Sequence, residues 1–144
     1  MNPRNGYSLI ELTFVLLLST VLLAVAIAPI RHARDVLAVR AARSEIAALV
    51  SVTRSTAIMT GGATLVVDVA GGSAWIEHGA AIRIGDVQDI GARHGVSLNA
   101  NRPLLSIRYD ALGIGRMSNT VVHVTSGSVR GTITISAYGR ARQS

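Results

Sequence analysis

Cysteine and lysine are both absent from this 144-residue chain, and aromatic residues are scarce: three Tyr, one Trp and one Phe. Without cysteine there is no disulfide framework, no thiolate metal ligand and no cysteine nucleophile, and the redox compartment cannot be read from it. With no lysine, all 14 basic residues are arginine, and against 8 acids they give a net charge of +6. Arginine pairs bidentately with carboxylate or phosphate, so the bias is compatible with an anionic partner, although arginine-favouring codon usage accounts better for the missing lysine. The few aromatics offer no platform for stacking single-stranded nucleic acid apart from Tyr138, and no known reading helix or zinc finger is present. His32, His78, His94 and His123 are scattered without metal-ligand spacing, so neither metal nor cofactor is expected, and they read as surface or strand histidines. No nucleophile-elbow pattern supports Ser44 and Glu45 as parts of a hydrolytic triad. Gly61-Gly62 and Gly71-Gly72 lack the length and the lysine of a phosphate-cradling loop, and read as turns. The chain is not expected to be an enzyme.

What the sequence has in abundance is apolar residues near its start. Leu12 to Ile30 contains no charge between Glu11 and Arg31, and as a helix it would extend about 28 Å, close to the hydrocarbon thickness of a bilayer. Arg4 and the initiator amine on the short flank favour a cytoplasmic N-terminus, leaving the rest of the chain outside. Ala24-Val25-Ala26 and Ala26-Ile27-Ala28 resemble signal-peptide cleavage sites, so a secretory signal and a plain one-pass anchor are both alternatives. Glu11 fits neither well. A carboxylate costs roughly 2.5–3.5 kcal/mol at a bilayer's centre and less near its edge, so a charge placed there tends to have a partner.

The run Gly6-Tyr7-Ser8-Leu9-Ile10-Glu11-Leu12 resembles the cleavage and assembly motif of type IV prepilins and type II secretion pseudopilins. The resemblance implies that prepilin peptidase cuts after Gly6, that Tyr7 becomes an N-methylated first residue, and that Glu11 makes an assembly contact. It also implies partners: other pilin or pseudopilin subunits, the peptidase and an inner-membrane assembly platform. A cationic amine at Tyr7 can pair with Glu11 of a neighbouring subunit, or with its own Glu11 one helical turn away, and offset the carboxylate's desolvation. Tyr7 departs from the phenylalanine usual in the family but keeps a ring. Pro29 lies one residue later than the common proline, so the usual kink position is not carried over.

Beyond Arg31, Val39, Ala42, Ile46, Leu49, Val50 and Ala57 recur at three- and four-residue steps, predicting an amphipathic helix that stops at Gly61-Gly62, with Arg34, Arg40, Arg43 and Arg54 off its apolar stripe. With the apolar segment it reads as one long rod with a candidate bend at Pro29. The period then becomes two: 64–69, 73–78, 104–109, 120–125 and 132–137 read as strands, with 126–131 joining the last two as a hairpin. Ile133, Ile135 and Ala137 should share one face. Trp75 is assigned to core packing, a subunit contact being the other option. The stretch 79–102 stays undecided between irregular strands and a loop. The expected fold class is α+β: a long N-terminal helix, membrane-spanning in its first half and amphipathic in its second, packed on a small antiparallel β-sheet domain. The divisions are 1–6 leader, 7–30 transmembrane and assembly helix, 31–62 amphipathic helix and 63–144 β-rich globular domain. The resemblance adds a single-pass inner-membrane location, with the globular domain periplasmic until incorporation into a pilus or pseudopilus.

Within that family the sheet region is most similar to the GspH/FimT group of minor pseudopilins and pilins. Ile107-Arg108-Tyr109-Asp110-Ala111-Leu112-Gly113 and the ending Ser136-Ala137-Tyr138-Gly139-Arg140-Ala141-Arg142 carry that likeness. It implies either a subunit for secretion or pilus biogenesis, or a DNA-capturing subunit used in natural transformation. For the second, Gly139-Arg140-Ala141-Arg142 resembles the Gly-Arg-X-Arg tail motif of FimT-type pilins. Arg140 and Arg142, with Gly139 giving backbone freedom, can reach successive phosphates, and no acid follows Asp110 to compete. Arg116 and Arg130 extend the patch if the late hairpin brings them near. Such contact would be to phosphates and insensitive to base sequence. A merely solvated tail, or one kept for packing, is the alternative.

Overall fold

No glycine interrupts the chain between Gly6 and Gly61, and a single helix, α1, spans Leu9–Thr60. It stops where Gly61 turns to φ 83°, a left-handed conformation that glycine takes without a Cβ clash. A computed structural model describes residues 8–79, 81–115, 119–136, 138 and 140–143. The chain divides into two compact units, Met1–Arg34 and Asp35–Ser144.

In the first unit, every described side chain from Leu9 to Arg34 is exposed, including Leu9, Phe14, Leu17 and Leu23. The hydroxyls of Thr13, Ser19 and Thr20 donate to the carbonyls of Ile10, Val15 and Leu17, each at 2.8 Å. Polar groups that bond back to their own helix leave an outer surface fit for an apolar medium. Pro29 lies inside α1, where it has no N–H for the carbonyl four residues earlier.

The second unit is built by alternation. β1 (Gly62–Asp68), β2 (Ser73–His78), β3 (Ile82–Asp89) and β5 (Leu104–Asp110) form one antiparallel sheet in the order β3-β2-β1-β5. A second sheet follows the order β4-β6-β7-β8, made of β4 (Ser97–Ala100), β6 (Thr120–Ser126), β7 (Val129–Ile135) and β8 (Ala141–Gln143). Leu65, Val67, Ala74, Ile76, Leu105, Ile107 and Tyr109 of the first sheet are buried, as are Leu98, Val122, Val124, Ile133 and Ile135 of the second. They join one core with Val39, Ala42, Ile46, Val50 and Ala57 of α1. Each large side chain so buried is worth roughly 1.5–3 kcal/mol of transfer free energy. Thr53 is also fully buried on this stripe, its Oγ1 donating to Leu49 O at 2.6 Å, so the hydroxyl is satisfied without leaving the helix.

The expected single small sheet is thus two sheets. The undecided 79–102 stretch supplies both the edge strand of the first and the opening strand of the second, joined by the short helix α2 (Ile90–His94). Asp89 Oδ1 caps α2 by accepting from Ala92 N, Gly95 ends it in the left-handed region, and Ile90 is fully buried in the core. Trp75 also departs from expectation. Ala74 and Ile76 take the inner face, so alternation sends Trp75 to the outer one. There Arg83 lies 5.1 Å from the ring centroid and the indole N–H donates to Glu77.

Candidate functional site

Glu11 sits in the first turn of α1 and is exposed, at the helix end where a carboxylate is favoured by the macrodipole. Gly6 and Tyr7, the two sides of the expected cut, lie outside the described residues. Among the described residues, α1 is the one helix long and apolar enough to cross a membrane.

The carboxy-terminal motif is positioned by two turns. In the first, Asp110 Oδ1 accepts from the amides of Leu112 and Ile114, Gly113 N donates to Asp110 O, and Asp110 N donates to Ile114 O. Gly113 has φ 70°, and a Cβ there would lie 3.0 Å from both Arg54 Cγ and Ile58 Cδ1. Glycine therefore permits both the turn and its close approach to α1. In the second turn, Ser136 N donates to Arg140 O, while Arg140 N donates to Ser136 Oγ at 3.1 Å. Between them lies a cavity of about 360 Å³ lined by Arg54, Ile114, Tyr138 and Arg140. No carboxylate lines it, and Arg54 makes no ion pair among the described residues. Burial pushes the nearby Tyr109 phenol above its ordinary pKa, an effect opposed by the positive charge of Arg54.

Arg142 is in a different setting. It pairs with Thr134 in the β7–β8 ladder, and Arg130 stands four residues before Thr134 on β7, so both share the outer face, offset by about 13 Å along the strand direction. Both are exposed. Arg130 lines a cleft of about 320 Å³ with Ser97, Leu98, Asn99, His123 and Thr125. None of the four strands in this sheet carries an acid. The structure therefore joins Arg130 with Arg142, and Arg140 with Arg54 and Tyr138. Arg116 and Gly139 lie outside the described residues.

Two residues escaped sequence reasoning. Arg54 was expected only off the apolar stripe, and nothing in the sequence placed it beside a segment 86 residues later. Glu45 accepts from Arg93 Nη1 at 2.6 Å and lies 2.5 Å from His94 Nε2, tying α2 to α1. Its only sequence signal was an acid bordering an apolar stripe.

No family model matches the sequence, and no curated protein matches it either. The fold does match solved structures. Two crystal forms of the type IV minor pilin FimU from Pseudomonas aeruginosa are similar to this chain. One has a TM-score of 0.60 at 13% identity, covering 74% of this chain and 87% of FimU. The other has a TM-score of 0.57 at 15% identity, covering 73% and 91%. This is a type IV pilin-like fold. At such low identity the pilin-like fold is shared while the residues are almost wholly replaced, so what this chain binds rests on its own side chains.

Proposed function

We propose that this chain is a minor pilin or pseudopilin, cut between Gly6 and Tyr7, N-methylated at Tyr7, and assembled into a pilus or pseudopilus through Glu11 and its apolar helix. The observation that carries this reading is the wholly exposed apolar surface of Leu9–Val25, with one carboxylate at its start. Such a surface needs lipid before assembly and neighbouring subunits after it. Before assembly the helix spans the inner membrane, with the leader cytoplasmic and the β-rich unit periplasmic. Prepilin peptidase and an inner-membrane assembly platform are the partners of this stage. Expressed in a piliated host, Glu11→Ala should still be processed but fail to enter sheared filaments; normal incorporation would refute the pairing role. Gly6→Ala should leave the precursor uncut, and unchanged maturation of it would sink the cleavage-site assignment.

A second reading is favoured by the acid-free outer face that carries Arg130 and Arg142, with Arg140 at the neighbouring turn: capture of DNA through its phosphates. Binding of duplex DNA by the full-length protein in nonionic detergent should fall with salt. Arg140→Ala with Arg142→Ala should reduce the log–log slope by roughly 0.9 per lost phosphate contact. An unchanged slope, or no binding at low salt, leaves the purely structural subunit.

A further inference from the structure

The two arginines of the tail motif do not share one environment, and Arg140 has company that a phosphate-tracking patch does not require. Tyr138 is 76% exposed at the tip of the Ser136–Arg140 turn, an uncommon place for a ring with no packing role. It borders the 360 Å³ cavity with the aliphatic Ile114 and the two arginines Arg54 and Arg140. That volume lies at the small end of the roughly 300–1,000 Å³ usual for ligand clefts, enough for one nucleotide unit and too little for a duplex. The chemistry is divided to match: two cations for a phosphate, and a ring with an apolar neighbour for a base.

We infer that Arg54, Ile114, Tyr138 and Arg140 form a subsite for one unpaired nucleotide, which would make the protein prefer single-stranded DNA, or the frayed end of a duplex, over closed duplex. A base held in a duplex presents no free face to Tyr138, whereas phosphates are available in both forms. The acid-free sheet face carrying Arg130 and Arg142 then serves either form, and the cavity adds discrimination. Gly113 bears on the subsite through geometry, because it allows the Ile114 turn to lie against Arg54. This inference rests on the nucleic-acid reading above, and goes beyond it in naming the strand state and three residues outside the tail motif, Arg54, Ile114 and Tyr138.

The test is fluorescence anisotropy with the full-length protein in nonionic detergent, using a labelled oligothymidine strand and a duplex of matched length at equal salt. Wild type should bind the single strand more tightly. Tyr138→Ser should weaken single-strand binding about fivefold or more, the lower range for a base stacked on an aromatic ring, while Tyr138→Phe retains it. Arg54→Gln should weaken the single strand more than the duplex. Equal loss for both DNA forms in Tyr138→Ser, or no loss in either, overturns the subsite and leaves phosphate contact by Arg140 and Arg142 intact. Absence of binding to both DNA forms by wild type overturns the subsite and the nucleic-acid reading together.

Discussion

The two sheets share a core but present opposite electrostatics to solvent. The strands of the β3-β2-β1-β5 sheet carry Asp68, Glu77, Asp86, Asp89 and Asp110, five of the chain's 8 acids, beside Arg83 and Arg108. Those of the β4-β6-β7-β8 sheet carry no acid, with Arg130 and Arg142 among them. The first sheet puts much of its charge to internal use: Asp68 Oδ1 accepts from two turn amides, Asp89 caps α2, Asp110 closes the Ile114 turn and Glu77 holds Trp75. In the second, cations stand on an open face with hydroxyls around them. A net charge of +6 thus gives little sense of the surface, because the acids sit mainly where turns and caps need acceptors.

The comparison also extends to packing, where the largest effect is expected. β7 meets α1 at Gly131, where a Cβ would fall 2.7 Å from both Val39 Cγ1 and Arg43 Cδ. Gly131→Val should therefore force the second sheet away from the helix and cost about 3 kcal/mol, read as a drop in the urea midpoint. Next comes the electrostatic contrast. Arg130→Ala with Arg142→Ala should lower the magnitude of the duplex-DNA salt slope by about 1.8, while Arg83→Ala with Arg108→Ala should leave it unchanged. Equal effects in the two pairs would dissolve the distinction between the sheets.

The link between the sheets offers a smaller effect. Glu45→Ala frees α2 from α1 and should cost up to about 1 kcal/mol, since the Arg93 partner is half exposed and such pairs are screened. Amide hydrogen exchange should then rise at Ile90–His94 before it rises in either sheet. Smallest of all is Tyr109→Phe. The Tyr109 hydroxyl is buried without a hydrogen-bond partner among the described residues, so its removal should be neutral or stabilising by under about 1 kcal/mol. Because burial raises the phenol's pKa in the fold, wild type should lose stability as pH climbs past the ordinary tyrosine value near 10 and on through the raised one. Melting curves across that alkaline range should lose this component in the phenylalanine variant.

Much of this architecture is legible in the sequence wherever one face is buried. The stripe of α1 lies at Val39, Ala42, Ile46, Val50 and Ala57 as its spacing predicts, with Leu49 half-buried, and β2 occupies Ser73–His78. β3 left no such trace, because nearly all its residues are exposed and its pairing with β2 slips between Ala74 and Ile76. An edge strand open on both faces has no alternation to read. Without β3 and α2, the division into two sheets could not be foreseen. The candidate site divides the same way. The arginines of the tail are visible as a motif, whereas Arg54 comes beside Arg140 only in the tertiary fold, next to the Gly113 turn, with no sequence period to announce it.

The position of β5 has a consequence for how the chain reaches its final state. β1 pairs on one side with β2 through a short turn, but on the other side Gly62 meets Asp110 and Asp68 meets Leu104, partners 48 and 36 residues away. Closing so long an excursion carries an entropy cost that local hairpins avoid, and such pairings tend to set the folding rate. As residues emerge in order, α1 and the β1–β2 hairpin would be complete while β1 still shows an unpaired edge. That interval is when the hydrogen-bonding groups of β1 are open to the wrong strand, so β5 acts as the late-arriving seal on the half-made domain.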